Sequence, residues 1–247
     1  MAPDYPAPFD QLLSLGKPSS EEAPDYRAMG VGPEHIPALI RLAVDEELRW
    51  GDSEDPAIWA QVHAWYALGQ LRAVEAIPAL LKELKYVDGE GDDWAAEEIP
   101  DILGQIGPAA LPSIETYVLS RSNGQWARVS AGEALKAIAI RHPEAREACI
   151  QSLTRVIEAE GGRNRELLGF VAVSLAQLKA VEAAPILTRA FENNWVEESI
   201  GGDWEDLQIE MGLRALRTKP REKFNMLERL ATNEPKKKRV RRRRRKA

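Results

Sequence analysis

The sequence predicts an all-α protein, organised as an α-solenoid of about five helix pairs. Three observations lead to this fold class. A tryptophan followed nine residues later by a leucine recurs along the chain, and a proline-containing apolar segment recurs between these copies. The long alternation of apolar and polar residues that predicts strands is missing. Repeats with a period of roughly 20 to 50 residues are typical of stacked supersecondary units.

The tryptophan–leucine pairs set the period of the repeat. Successive copies begin 35, 32, 40 and 38 residues apart when Glu166 is accepted in place of one tryptophan. These intervals fit units of two helices each. The five pairs are Trp59 with Leu68, Trp94 with Leu103, Trp126 with Leu135, Glu166 with Leu175, and Trp204 with Leu213.

Proline marks the start of the first helix of a pair, helix A. Pro37, Pro78, Pro112 and Pro185 hold matching places in the recurring apolar segment. A first helical turn tolerates proline because its missing N–H would have no intrahelical partner. Helix A is expected over 34–48, 74–86, 109–121, 144–160 and 181–193.

The second helix of each pair, helix B, follows a loop rich in Gly, Asp, Asn and Ser. Asp55, Asp93 and Asp203 stand at the start of three B helices, where a carboxylate caps free N–H groups and meets the positive end of the helix dipole. Helix B is expected over 56–71, 93–106, 126–141, 164–179 and 203–217.

Three of the recurring segments carry a family resemblance. LGQLRAVEAIPALLKEL (68–84), LGQIGPAALPSIETYVL (103–119) and LAQLKAVEAAPILTRAF (175–191) resemble HEAT-like repeats of the type named after phycobilisome lyases. The resemblance covers roughly 32–217. It implies stacked helix pairs and, as one alternative function, a bilin lyase or chromophore chaperone subunit. Such repeats serve many unrelated proteins, so the fold does not set the function.

The chain is also similar to uncharacterised bacterial HEAT-like proteins, some of which end in a zinc-binding SEC-C segment. Here a polybasic end stands in that place, and the chain has one cysteine. We expect a solenoid at 31–218, a C-terminal helix or linker at 219–234 and a disordered tail at 235–247. The proline-rich arm at 1–30 is expected to carry a short helix and to cover the end of the first repeat with Phe9, Leu12, Leu13 and Leu15.

Each B helix shows two stripes. Positions 1, 5, 8, 9 and 12 after the tryptophan are mostly small or apolar and predict the buried face. In the first helix they are Ala60, Ala64, Ala67, Leu68 and Leu71, and in the third they are Ala127, Ala131, Ala134, Leu135 and Ile138.

The tryptophan heads the other stripe, at positions 0, 4, 7 and 11, and two interpretations stay open. It packs one repeat on the next, or it lines a groove on the concave face. A groove of Trp rings and carboxylates would attract a basic or amphipathic protein or peptide. The predicted partner-binding residues are Trp59, His63, Tyr66, Trp94, Glu97, Glu98, Asp101, Trp126, Glu133 and Trp204.

Charge is divided unevenly along the chain. The tail holds 10 of the 33 basic residues and no acidic one, so the body carries 33 − 10 = 23 basic against 39 acidic residues, a net charge of −16. An acidic body disfavours duplex DNA. RNA or another polyanion is the partner expected for the tail; contact with the body, a nuclear import signal in a eukaryotic host, and an incidental tail stay open. The basic residues are Lys236, Lys237, Lys238, Arg239, Arg241, Arg242, Arg243, Arg244, Arg245 and Lys246.

The sequence predicts a scaffold or adaptor that binds proteins rather than an enzyme, with no cofactor and no metal. It contains no Gly-rich phosphate loop, HExxH motif or nucleophile elbow. The adjacent carboxylates of Glu97 and Glu98 are expected to be solvated and to diverge on a helix, and Cys149 is expected to be a small core residue. With no signal peptide and no apolar run long enough to span a membrane, the expected location is the cytoplasm.

Overall fold

The computed structural model describes residues 5–18 and 23–218. Nearly all of these lie in the first of two compact units, Met1–Leu216, while Arg217 and Thr218 begin the second, Arg217–Ala247. The described residues form fourteen α-helices and no strand, which confirms the all-α prediction. None of these helices is long and apolar enough to cross a membrane.

The helices differ widely in length, from one turn to nearly five. Their bounds are α1 Phe9–Leu12, α2 Ile36–Ala43, α3 Glu46–Arg49, α4 Ala60–Gln70, α5 Ile77–Glu83, α6 Lys85–Glu90, α7 Asp93–Ile106, α8 Leu111–Leu119, α9 Gln125–Arg141, α10 Arg146–Glu160, α11 Arg165–Gln177, α12 Ala184–Glu192, α13 Glu198–Gly201 and α14 Trp204–Glu210.

The helices stack in two layers, as a solenoid requires. Helices α2, α5, α8, α10 and α12 form the A layer, and α4, α7, α9, α11 and α14 form the B layer. Each A helix contacts its own B helix and the next A helix, and each B helix contacts the next B helix. Stacking of this kind buries a continuous core between repeats that could not bury an apolar face alone.

The A helices begin as the sequence predicts. Pro37, Pro78, Pro112 and Pro185 each lie in the first turn, and a short 3₁₀ turn precedes each of these helices. Two A segments are interrupted. The first breaks at Asp45, whose side chain accepts hydrogen bonds from the backbone N–H groups that start α3; the second divides at Leu84 into α5 and α6.

The caps of the B helices differ from prediction at one position. Asp55 and Asp203 accept backbone hydrogen bonds as expected. Asp92, rather than the predicted Asp93, caps α7 by accepting from the N–H of Ala95 at 2.9 Å. The last B helix ends at Glu210 instead of 217, because the chain turns through a left-handed backbone at Gly212.

The predicted buried face of the B helices is confirmed. All ten side chains named for α4 and α9 are completely buried except Leu71, which is partly buried. Trp65 also lies in the core, where its indole N–H donates to the Ala43 carbonyl at 2.9 Å. Cys149 is buried as predicted, and burial raises its thiol pKa to about 11.

The described part of the N-terminal arm, residues 5–18 and 23–30, packs on the first repeat. Helix α1 contacts α4, and Phe9 and Leu12 are buried. Leu13 packs partly against the core, whereas Leu15 is 39% exposed. Leu15 was predicted to cover the repeat and does not, because the helix ends at Leu12 and a turn carries Leu15 outward.

Candidate partner-binding face

The tryptophan stripes of neighbouring B helices come together on one side of the B layer, called here the B face. Trp59 and Trp94 meet edge to face, with ring centroids 5.0 Å apart. Edge-to-face geometry at this distance is favourable for aromatic pairs. Both rings are half-buried, so they pack the first repeat on the second and still present ring surface.

A lysine side chain from the arm lies over both rings of this pair. The ammonium of Lys17 lies 5.7 Å from the centroid of the Trp59 ring and 5.4 Å from that of Trp94. Both distances allow cation–π attraction. The two rings are called the lysine seat below.

The arm is held to α4 by a set of hydrogen bonds. The His63 ring nitrogens lie 2.9 Å from the Gly16 carbonyl and 2.7 Å from the Tyr26 hydroxyl. Gln70 donates to the Pro24 carbonyl at 2.8 Å and accepts from the Tyr26 N–H at 3.1 Å. Side chains of the stripe therefore bind the backbone of an irregular segment of the same chain.

Two of the predicted partner-binding residues are buried. His63 and Tyr66 are only 2% and 4% exposed, so neither is accessible to a partner in this arrangement. Burial lowers the pKa of His63, and its bond to the Gly16 carbonyl partly opposes this. A neutral ring fits the site, because one nitrogen then donates to the carbonyl and the other accepts from Tyr26.

Glu98 is buried, which corrects the prediction of a solvated pair at Glu97 and Glu98. Glu97 is exposed, but only 8% of Glu98 is exposed, because Glu98 projects from α7 toward Tyr66 on α4. Burial raises the pKa of Glu98; Asp101 and Glu97 add to this, and Tyr66 opposes it. The Tyr66 hydroxyl is buried beside the Glu98 carboxylate, and burial, followed by Glu98, raises the pKa of Tyr66.

The other two acidic residues of the predicted site link neighbouring B helices. Asp101 on α7 pairs with Arg141 on α9. Glu133 on α9 pairs with Lys136 and accepts from the Ser174 hydroxyl of α11 at 2.7 Å. Their charges are thus partly compensated, and Glu97 is exposed.

The later tryptophans also contact aromatic rings. Trp126 lies 5.9 Å from Phe170 of the next B helix and keeps 45% of its surface exposed, whereas Trp204 stacks on Phe191 of its own helix pair at 5.5 Å. Trp59, Trp94 and Trp126 therefore pack repeat against repeat, and Trp126 also presents a large exposed ring. The structure brings the arm onto the seat and His63 and places Glu98 beside Tyr66, whereas the ring contacts of Trp126 and Trp204 are with Phe170 and Phe191.

Sequence reasoning missed the arm residues that complete this face: Gly16, Lys17, Pro24 and Tyr26. The available signal was an aromatic residue and a lysine in a segment interpreted only as an extended arm.

Sequence reasoning also missed a shallow cavity of about 630 Å³ between α5 and α8 on the A layer, lined partly by Lys82, Lys85 and Tyr117.

The basic tail residues, Lys236 to Lys246, lie outside the described part of the chain. In the part that is described, no cluster of three or more His, Cys, Asp or Glu side chains has the arrangement of a metal site.

A comparison with known protein families gives a match within the repeats. Residues 61–86 match the family model described as the PBS lyase HEAT-like repeat. The match starts in α4 and ends in α6, so it spans the first B helix and the A segment of the second pair. No curated protein and no solved structure matches the chain. The matched repeat and the stacked helix pairs support a HEAT-like repeat architecture for this chain.

Proposed function

We propose that this protein is a non-catalytic scaffold that binds a basic or amphipathic segment of a partner protein on its B face. One observation carries the proposal: two tryptophans of adjacent repeats hold the ammonium group of Lys17. The face thus already binds a cation on an irregular polypeptide segment. Trp is also among the residues most often dominant at protein interfaces.

Charge supports the same kind of partner. The body before the tail carries a net charge of −16, from 23 basic and 39 acidic residues. Opposite charge steers association and disfavours partners of like charge. Exposed Glu97 follows Trp94 by one turn of α7 and adds local attraction for a cation.

The proposed binding surface continues along the B face beyond the residues that the arm contacts. Trp126 is 45% exposed and sits beside Phe170 of the next repeat. A large exposed aromatic ring beside a second one is suited to an amphipathic segment, whose apolar side covers the rings while its basic side meets the acidic body.

The test is affinity capture from native lysate with the intact chain and a 1–234 truncation, each with and without RNase. We expect the same proteins in all four samples, and we expect Trp126→Ala to reduce the amount of protein that is captured. The matched control is Trp50→Ala, because Trp50 is 57% exposed but lies outside the stripe. If the captured proteins are lost when the tail is removed or when RNase is added, the protein acts through RNA or another polyanion on its tail, and the proposal fails.

A further inference from the structure

Lys17 differs from the rest of the arm in how it is held. Phe9 and Leu12 before it, and Tyr26 and the first solenoid residue Val31 after it, are at most 4% exposed and anchor the arm in the core. Lys17 between them is exposed, and its described contacts are the two rings of the seat. The lysine can therefore leave the seat without unfolding either anchor.

The backbone around Lys17 shows which segment the seat accepts. Gly16 presents its carbonyl to His63, and Pro18 follows directly and is buried. A residue before proline disfavours the helical region, so the ammonium is presented from a non-helical Lys-Pro step. Within the chain, the cation on the two aromatic faces thus follows a backbone carbonyl that is held by His63.

We propose that Lys17 is an intramolecular stand-in for a partner's lysine, and that the partner inserts a non-helical Lys-Pro segment into the lysine seat after displacing Lys17. This inference rests on the proposed function and specifies the partner's chemistry at one place on the B face. A tethered group has an effective concentration of order millimolar, so Lys17 competes with any weak partner segment. Removing its ammonium empties the seat and leaves the anchors in place.

The test uses the full chain labelled with ¹⁵N. Its seven tryptophans give indole N–H signals, and single Trp→Phe variants assign those of Trp59 and Trp94. Lys17→Ala by itself should shift both signals, because the cation leaves the rings. The probe is the capped hexapeptide Leu-Ser-Leu-Gly-Lys-Pro, and the control peptide carries Ala in place of Lys.

We expect the lysine peptide to shift the Trp59 and Trp94 signals, and to bind Lys17→Ala about two- to five-fold more tightly than the wild type, the range for an exposed cation–π contact. The signals of Trp126 and Trp204 should stay in place. The inference is overturned if Lys17→Ala leaves both seat signals unchanged, or if the alanine peptide acts as well as the lysine peptide. If the seat does not respond while capture still depends on Trp126, this inference fails and the scaffold proposal stands.

Discussion

The guanidinium of Arg128 donates a 2.6 Å hydrogen bond to the carboxylate of Glu160, across the boundary between the third and fourth helix pairs. Their side chains are 5% and 3% exposed, and Arg128 also donates to the Val118 carbonyl at 2.7 Å. Arg49, whose side chain is 9% exposed, pairs with Glu83 between the A segments of the first and second pairs. Charge pairs therefore join elements of successive repeats at both of these boundaries.

Replacing Glu160 with glutamine should destabilise the fold by about 3 kcal/mol, because the Arg128 guanidinium would stay buried without its counter-charge. The free energy of unfolding in urea measures this. Glu158→Gln is the matched control, since Glu158 is exposed on the same helix and should change the value by less than about 0.5 kcal/mol. Equal effects of the two substitutions would show that the buried pair does not stabilise the repeat boundary.

Stability should fall as the pH drops below the ordinary histidine pKa of 6.5, because burial lowers the folded-state pKa of His63. Between the two pKa values the unfolded chain binds the proton more readily, so the stabilisation present above pH 6.5 is lost on acidification. Urea unfolding across this range measures the slope. The His63→Gln variant should show a smaller slope of unfolding free energy against pH. The control variant His142→Gln should retain the contribution of His63 to that slope. An unchanged slope in His63→Gln would refute the prediction.

Glu98→Gln should stabilise the protein relative to wild type more at pH 7 than near pH 4. The folded-state pKa of Glu98 lies above its ordinary value, chiefly because of burial. The folded protein therefore binds the extra proton more tightly, and stability falls as the pH rises through that raised pKa. Glutamine cannot ionise and escapes this loss. Exposed Glu90, replaced by glutamine, is the control; the same pH dependence in both variants would contradict the assignment to Glu98.

The repeats were predictable because their signals are local and periodic. The second B helix was predicted at 93–106 and is observed at Asp93–Ile106, since its loop, cap region and buried stripe all lie within a few residues. The breaks in the A segments were harder to predict. Asp45 interrupts the first by capping α3, and a single aspartate inside an apolar pattern does not distinguish a break from a solvated helical position.

The packing of the N-terminal arm on the candidate site was not predictable from the helical periodicity. The Gly16 carbonyl meets a residue 47 positions away, and Tyr26 meets Gln70 at a separation of 44. No helical or strand period connects such positions, because the arm has no regular structure there. His63 and Tyr66 were therefore assigned to an open stripe by the helical wheel, which shows the side of a helix but not what lies over it.

Close approach of B helices gives one further prediction, from a pair of helical glycines. A Cβ at Gly104 would lie 2.7 Å from the Ala137 Cβ of the next repeat, whereas at Gly132 the nearest atom would be Val171 Cγ2 at 4.0 Å. Gly132→Ala should stabilise the protein by about 0.5–1 kcal/mol through helix propensity. Gly104→Ala should destabilise it by about 1–3 kcal/mol, because α7 and α9 must move apart. Thermal and urea unfolding measure both; stabilisation by Gly104→Ala would mean that the two helices tolerate a wider spacing than the structure shows.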